Sequence, residues 1–233
     1  MHSAIPPHLI VRDPAAQLDR LRAAWHPHAE RWVFGYASLI WRPEFDAAEH
    51  RPALVRGWHR ALSMRSRINR GTPQQPGLVF ALLPGGACRG VVFRLRRETA
   101  EEEIDRLWAR EMPTGVYDAR LLPCQTPHGV VHALAFTLSR RSDAYTGRLP
   151  DEQMLHILRH ARGRYGSTLD YVAETAHALR ARGLRDREIE RLMGLAARHG
   201  LVQAPAARSA SRSATVSTSN STPGSSTSTG QAG

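Results

Sequence analysis

The segment from Trp32 to Leu138 constrains the fold most, because it alternates short apolar runs with turns and leaves room for only one helix. Apolar runs bounded by Gly, Pro or Asp are typical of β-strands. The predicted strands cover residues 32–36, 54–64, 77–83, 89–95, 117–124 and 129–138. Pro84-Gly85-Gly86 predicts the turn of a hairpin between the third and fourth of them. Strands at this density predict a mixed sheet that either curls into a small barrel or stays open, and periodicity does not distinguish the two.

Helices are predicted before, within and after this segment. Asp13-Pro14 is typical of an N-cap and first helical residue, and Thr99 with Glu102 forms a capping-box pattern. The predicted helices cover residues 14–25, 99–110, 151–165, 167–182 and 186–199. Gly183 and Gly200 follow the last two, as helix-ending glycines do. The predicted fold class is therefore α+β, with helices flanking the sheet.

Composition divides the chain into three parts. We assign residues 1–31 to an N-terminal helical lead, 32–200 to one folded domain, and 201–233 to a tail. From Ala204 onward the tail holds mainly Ser, Thr, Ala, Gly and Pro, without an aromatic residue. Such a segment buries too little apolar surface to offset its ordering entropy, so it is predicted to be disordered.

The formal net charge of +11 raises the question of a nucleic-acid partner. All 32 basic residues are arginines, however, and they are spread along the whole chain. This distribution favours a solvated arginine surface over a DNA-binding face. No apolar run reaches the roughly 20 residues of a membrane helix, and the first residues do not resemble a secretion signal. Two cysteines cannot build a disulfide framework, so a reducing cytoplasm is the expected location.

Residues 34–41, Phe-Gly-Tyr-Ala-Ser-Leu-Ile-Trp, are the first candidate for a binding site. Small side chains after a buried strand expose successive backbone N–H groups, which suit a carboxylate or phosphate. A tight strand-to-loop turn packed by aromatic residues explains the same pattern, and spacing alone favours that turn. Ser38 lacks the flanking glycines of a hydrolase nucleophile.

Glu111 is the second candidate. It lies at the end of a predicted helix, where the negative end of the helix dipole disfavours a carboxylate. Partial burial would raise the pKa of Glu111 further, which suits a general acid and base. The alternative is a surface glutamate paired with Arg110 or Arg106, and sequence alone favours that alternative.

Other chemistry-bearing residues form weaker patterns. The 12 histidines show no supported metal-ligand spacing, so no metal site is predicted. Cys88 and Cys124 are expected to be buried structural thiols. The basic cluster Arg65, Arg67 and Arg70 is either an anion clamp or a solvated loop.

Taken together, these motifs resemble the ChaC family of glutathione-specific γ-glutamylcyclotransferases. The segment 34–43 resembles the family's Phe-Gly-Tyr-Gly-Ser-Leu motif with its following tryptophan. Further resemblances follow in order at 70–79, 90–95, 110–117 and 145–147, and the resemblance extends from residue 32 to 199. Alanine stands at position 37, where the family has glycine. If that position needs a positive φ or a very close backbone approach, alanine would strain it.

The resemblance implies the family's small mixed-sheet barrel and its reaction. Glutathione would be cleaved to 5-oxoproline and Cys-Gly by attack of its own α-amine on the γ-carbonyl, without a cofactor. Glu111 would be the catalytic proton shuttle. The substrate-binding residues would be Gly35, Tyr36, Ala37, Ser38, Leu39, Ile40, Tyr117 and Tyr145.

Two other functions remain open from the sequence. A protein of this fold could act on another γ-glutamyl amine. A catalytically silent module could instead bind nucleic acid through its basic surface, although no such partner is expected here. The sequence also indicates no oligomeric state.

Overall fold

A computed structural model of the chain describes residues 11–26 and 28–203. Five strands form a closed barrel and two very short strands form a separate hairpin. The strands are β1 (Trp32–Gly35), β2 (Ala47–Ser66), β3 (Gly77–Leu95), β4 (Asp118–Thr126), β5 (Gly129–Thr137), β6 (Arg162–Gly163) and β7 (Gly166–Ser167). The helices are α1 (Pro14–Ala24), α2 (Ser38–Trp41), α3 (Ala100–Glu111), α4 (Asp151–His160), α5 (Thr168–Ala181) and α6 (Arg187–Arg198).

The barrel has the strand order β1-β3-β2-β4-β5, and β1 closes it by pairing in parallel with β5. The other long pairings are antiparallel, so the sheet is mixed. This arrangement confirms the predicted α+β class with flanking helices and selects the barrel over the open sheet. No helix within the described residues is long and apolar enough to cross a membrane.

Both faces of β1 are buried, which explains its continuous apolar sequence. Trp32 and Phe34 belong to an apolar cluster that also holds residues of α4, α5 and α6. Val33 belongs to a second cluster, which contains residues of α1 and α3. Because side chains alternate along a strand, β1 joins the two halves of the core.

The predicted hairpin turn at Pro84 is wrong. β3 runs through it without reversing, and Pro84 pairs with Trp58 of β2. Gly85 and Gly86 lie opposite Gly57 at a register shift, and all three glycines have positive φ. This is a β-bulge, which uses the same glycine chemistry as a turn but bends the strand instead of ending it. The β2–β3 connection lies at residues 67–76.

Two predicted helix ends also differ from the structure. The helix expected over 151–165 ends at His160, because Arg162–Gly163 and Gly166–Ser167 form the small β6–β7 hairpin. Thr99 precedes α3, but its buried hydroxyl has no hydrogen-bond partner among residues 11–26 and 28–203, so the predicted capping box does not form there.

The C-terminal helices end as expected, with φ of 66° at Gly183 and 67° at Gly200. Beyond them, the Leu201 amide bonds to the carbonyl of Ala196, and Leu201 and Val202 pack against the core. The residues predicted as disordered tail therefore begin with a short packed segment. Residues 204–233, which carry the rest of that prediction, lie outside the described residues, as do residues 1–10 of the predicted helical lead.

Candidate active site

A cavity of about 500 Å³ opens beside the end of β1 and the C-terminus of α3. Its wall combines aromatic residues with charged ones from segments far apart in the chain. The lining residues include Ser38, Trp41, Glu44, Arg110, Glu111, Tyr117 and Tyr171. A cavity of this size with a few convergent polar groups is typical of a small-molecule site.

Glu111 is the last residue of α3, and the packing of that helix fixes its place. Leu107 and Trp108 are buried against the second apolar cluster, and the neighbouring Met112 is fully buried. The side chain of Glu111 is only 16% exposed. Glu111 therefore sits at the cavity wall on a rigid helix end.

Burial is the main cause that raises the pKa of the Glu111 carboxyl above its usual value. The Arg110 guanidinium, whose Nε lies 3.1 Å from Glu111 Oε1, opposes this shift. The negative charge of Glu44 adds to it. The sequence alternative of a surface glutamate is therefore wrong, although the predicted pairing with Arg110 is present. Arg106 pairs instead with Glu102 and Glu103.

The charge of Glu111 acts on three buried tyrosines. Burial raises the pKa of Tyr36, Tyr117 and Tyr171, and the charge of Glu111 raises the pKa of each further. The Tyr36 hydroxyl donates to the carbonyl oxygen of Phe136 at 2.9 Å. The Tyr171 hydroxyl accepts from the Phe80 amide at 3.2 Å. These phenols stay neutral at physiological pH and supply hydroxyl groups in a desolvated setting.

The candidate loop after β1 contains the short helix α2. Ser38 lies in the cavity wall. The N–H groups of Ser38 and Leu39 bond to no acceptor elsewhere in residues 11–26 and 28–203. Leu39 and Ile40 are buried in the core, and Trp41 is anchored by its indole N–H, which donates to Thr175 Oγ1 at 3.2 Å.

The other predicted binding residues lie behind the wall. A Cβ on Gly35 would stand 3.0 Å from the Phe93 ring, so this glycine permits close packing. Ala37 has a φ of −145°, so its position does not need the left-handed conformation that favours glycine. Its methyl group is buried in the first cluster. Tyr145 is half-buried and pairs with the wall residue Met64, but it does not line the cavity.

The basic cluster contributes to the cavity mouth, with two different roles. Arg65, Arg67 and Arg70 all line the cavity. Arg70 is buried, and its guanidinium donates to the carbonyl oxygen of Tyr165 and stacks on the Tyr171 ring at 5.1 Å. Arg65 and Arg67 have no carboxylate partner among the described residues. Only these two arginines of the cluster are therefore available to an anion.

The β6–β7 hairpin completes this side of the mouth. The amides of Arg164 and Tyr165 bond to the carbonyls of Ile68 and Asn69 at 2.8 and 2.9 Å. Gly163 lies so close to the same loop that a Cβ would stand 2.5 Å from the Ile68 carbonyl oxygen. The hairpin thus holds the loop that carries Arg67, next to the end of β2 where Arg65 lies.

Sequence reasoning missed Tyr171 and Glu44, and it did not show that Arg110 pairs with both Glu44 and Glu111. Tyr171 follows Glu111 by 60 residues, and its position on the buried face of α5 is also that of an ordinary core residue. Glu44 carries no local signal. No group of three His, Cys, Asp or Glu residues in the described part of the chain is placed to hold a metal ion.

Comparison with known proteins gives consistent matches. Residues 31–198 match the family model described as ChaC-like protein. The glutathione-specific γ-glutamylcyclotransferase of Escherichia coli K12 is 34% identical over 173 residues, which are 74% of this chain and 75% of that protein. The human glutathione-specific γ-glutamylcyclotransferase 1 is 31% identical over 150 residues, covering 62% of this chain and 68% of the relative.

Solved structures show the same fold. A yeast γ-glutamyl cyclotransferase specific to glutathione matches 74% of this chain and 97% of its own with a TM-score of 0.66, at 21% identity. A second crystal structure carrying that description matches with a TM-score of 0.64, at 20% identity, over 73% of this chain and 99% of its own.

Proposed function

Because the chain belongs to the ChaC-like protein family, we propose that it is a glutathione-specific γ-glutamylcyclotransferase, a lyase that cleaves glutathione to 5-oxoproline and Cys-Gly. The relatives that carry this name come from a bacterium, from yeast and from vertebrates. The observation that carries the proposal within the structure is a buried carboxylate of raised pKa, Glu111, facing a small cavity.

The reaction needs orientation more than it needs an added reactant. The γ-glutamyl group holds both reacting atoms, its α-amine nitrogen and its γ-carbonyl carbon. Bending the group brings these two atoms together. Attack then forms the new C–N bond of a five-membered lactam, and the γ-amide C–N bond breaks. A wall that fixes this bent conformation converts the attack into a well-oriented intramolecular step.

Glu111 acts as the proton shuttle in this proposal. Its carboxylate takes a proton from the α-ammonium, which frees the nitrogen lone pair for attack. The resulting carboxylic acid gives that proton to the nitrogen of the departing Cys-Gly as the γ-amide bond breaks. The ring nitrogen then loses its second proton through the regenerated carboxylate to the same Cys-Gly amine, which leaves a neutral lactam. A carboxyl whose pKa is raised by burial is suited to these transfers near neutral pH.

The loop after β1 binds the γ-glutamyl group. The N–H groups of Ser38 and Leu39, which lack an acceptor within the described residues, are suited to an oxygen of that group, and Tyr117 lines the same cavity as Ser38. The remaining predicted residues shape or support this surface from behind. They are Gly35, Tyr36, Ala37, Ile40 and, at the outer edge, Tyr145.

Arg65 and Arg67 bind the glycyl carboxylate in this proposal. Both line the cavity and lack a carboxylate partner among the described residues. Arg70 is set aside from the predicted cluster, because the Tyr165 carbonyl and the Tyr171 ring already occupy its guanidinium.

The partner is therefore a small molecule, and we place the reaction in the cytoplasm, where the glutathione pool is maintained. Nucleic acid is not a proposed partner, since many arginines of the described residues pair with carboxylates. Strong, salt-dependent DNA binding by a protein that makes no 5-oxoproline would favour the binding module instead.

The test is product analysis. Purified protein incubated with glutathione should release equal amounts of 5-oxoproline and Cys-Gly, and the Glu111→Gln variant should release neither at a comparable rate. Parallel incubations with other γ-glutamyl amines measure selectivity. Product from those compounds and none from glutathione would reassign the substrate while keeping the reaction.

A further inference from the structure

Arg110 connects the proposed proton shuttle to a second carboxylate. Its Nε lies 3.1 Å from Glu111 Oε1, and its Nη1 lies 3.0 Å from Glu44 Oε2. The same Nη1 donates to the carbonyl oxygens of Arg42 and Pro43 at 2.5 and 3.2 Å. One guanidinium thus ties the end of α3 to the segment that follows α2.

The backbone of Glu44 is unusual. Its φ of 56° is the only left-handed value at a non-glycine position in the described residues. Glycine would adopt this conformation without steric strain, whereas a residue with a Cβ is disfavoured. Strained residues persist where surrounding contacts hold them, and they concentrate at functional sites.

The contacts of the Glu44 side chain explain why glutamate stands there. One carboxylate oxygen pairs with Arg42 Nε, and the other pairs with Arg110. Both glutamates and both arginines line the same cavity. The strained residue therefore delivers a carboxylate to the arginine that contacts Glu111.

We propose that Glu44 and Arg110 are positioning residues for Glu111: Arg110 holds the carboxylate of Glu111, and Glu44 holds Arg110. This inference rests on the proposed function for its catalytic meaning. Neither residue exchanges a proton with the substrate, so removing either alters the setting of the shuttle and leaves the shuttle itself in place.

The opposite charges of Arg110 and Glu44 shift the pKa of Glu111 in opposite directions, which a merely structural role would not do. Arg110 lowers the pKa of Glu111, whereas Glu44 raises it. The groups that face Glu111 from the surrounding elements are Arg110, Glu44, Tyr36, Tyr117 and Tyr171. Burial keeps the tyrosines neutral, so only Arg110 and Glu44 contribute charge near neutral pH.

The experiment compares Glu44→Gln, Arg110→Gln and Arg110→Lys by the pH dependence of kcat with glutathione. Glu44→Gln should move the acid limb to lower pH, and Arg110→Gln should move it to higher pH. Arg110→Gln should also lower kcat at pH 7 roughly 10- to 100-fold, as expected when a reacting group is misplaced by about an ångström. Arg110→Lys keeps the charge and should restore the acid limb while kcat stays reduced.

A matched control and a second readout keep the test decisive. Glu102→Gln removes an exposed carboxylate from the same helix, away from the cavity, and should leave the profile unchanged. The ¹³C signal of the Glu111 carboxyl, identified by its loss in Glu111→Gln, reports its titration without any turnover. Its midpoint should move in opposite directions in Glu44→Gln and Arg110→Gln.

Unmoved midpoints, or shifts of equal sign in the two glutamine variants, would overturn the inference. If the wild-type protein makes no 5-oxoproline, the proposed function fails, and the carboxyl titration alone decides whether Arg110 and Glu44 set the state of Glu111. If it makes 5-oxoproline but the limbs do not move, only the positioning role fails.

Discussion

Arg60 Nη1 lies 2.5 Å from Asp186 Oδ2, with the Arg60 side chain only 1% exposed. Asp186 is also the N-cap of α6, accepting from the amides of Glu188 and Ile189. The same guanidinium donates to the carbonyl oxygen of Tyr36, which leads into the loop at the cavity. A buried ion pair on β2 thus anchors both α6 and the loop that follows β1.

Asp186→Asn should destabilise the protein strongly. Asparagine retains the helix cap, but it leaves the buried Arg60 without a counter-charge, which costs about 3–5 kcal/mol. For a chain of this size the melting temperature should fall by about 6–20 °C. Asp151→Asn is the control, because its pair with Arg191 is more exposed and is worth at most about 1 kcal/mol. Equal melting temperatures for the two variants would refute this account of Arg60.

Glu111→Gln should fold normally and bind glutathione but lose turnover. Glutamine keeps the size of the side chain and cannot exchange the proton, so kcat should fall about 10²–10⁴-fold with KM little changed. Steady-state kinetics with a circular-dichroism melt measure both effects. A residue that only anchors the substrate would raise KM and leave kcat intact. That result would remove Glu111 from the chemistry.

Ala37→Gly should retain activity and lose some stability. The sequence left open whether alanine is strained at this position, but its φ of −145° lies outside the left-handed region that favours glycine. Removing the buried methyl group costs about 0.8 kcal/mol of burial, and the added backbone freedom costs a similar amount. Denaturant melts should show a loss of about 1–2 kcal/mol, while kcat/KM stays within about twofold. A large drop in kcat/KM would show that the methyl group shapes the substrate pocket.

Cys88 and Cys124 should not react with iodoacetamide in the native protein at pH 8. Both thiols are buried, and burial raises the pKa of Cys88 to about 11 and that of Cys124 to about 12. The nucleophilic thiolate is therefore scarce. Mass spectrometry should find both labelled only after denaturation.

The same shifts predict how stability depends on pH. The unfolded thiols ionise near their ordinary pKa of 9, whereas the folded ones stay protonated to about 11 and 12. This pKa difference stabilises the folded state below pH 9, and its contribution to the free energy of unfolding is lost as the pH rises toward 11 and 12. Replacing both cysteines by alanine should flatten the alkaline fall in melting temperature. An unchanged fall would assign it to other groups.

The strands of the barrel were predictable because their apolar runs report local burial. Two predictions that failed, the turn at Pro84 and the helix reaching Tyr165, depend on which strand or loop lies opposite. A Pro-Gly-Gly sequence suits a turn and a bulge alike. Only the pairing with Trp58, which is 26 residues away in sequence, makes it a bulge.

The residues of the candidate site also differ in whether local sequence could identify them. Glu111 could be singled out from its helix end and from the family motif around it. Tyr171 and Glu44 could not, because their importance comes from contacts with distant segments. The pKa of Glu111 was also beyond the sequence, since burial by the folded barrel is its largest cause.

The parallel pairing of β1 with β5 sets an order of events during synthesis. Trp32 finds its partner Ala133 only after roughly 100 further residues have left the ribosome. Tyr171 emerges later still, and Arg60, which donates to the Tyr36 carbonyl, gains its partner Asp186 only after that. The site should therefore assemble only after Asp186 has been synthesised, so that a shorter nascent chain does not cleave glutathione.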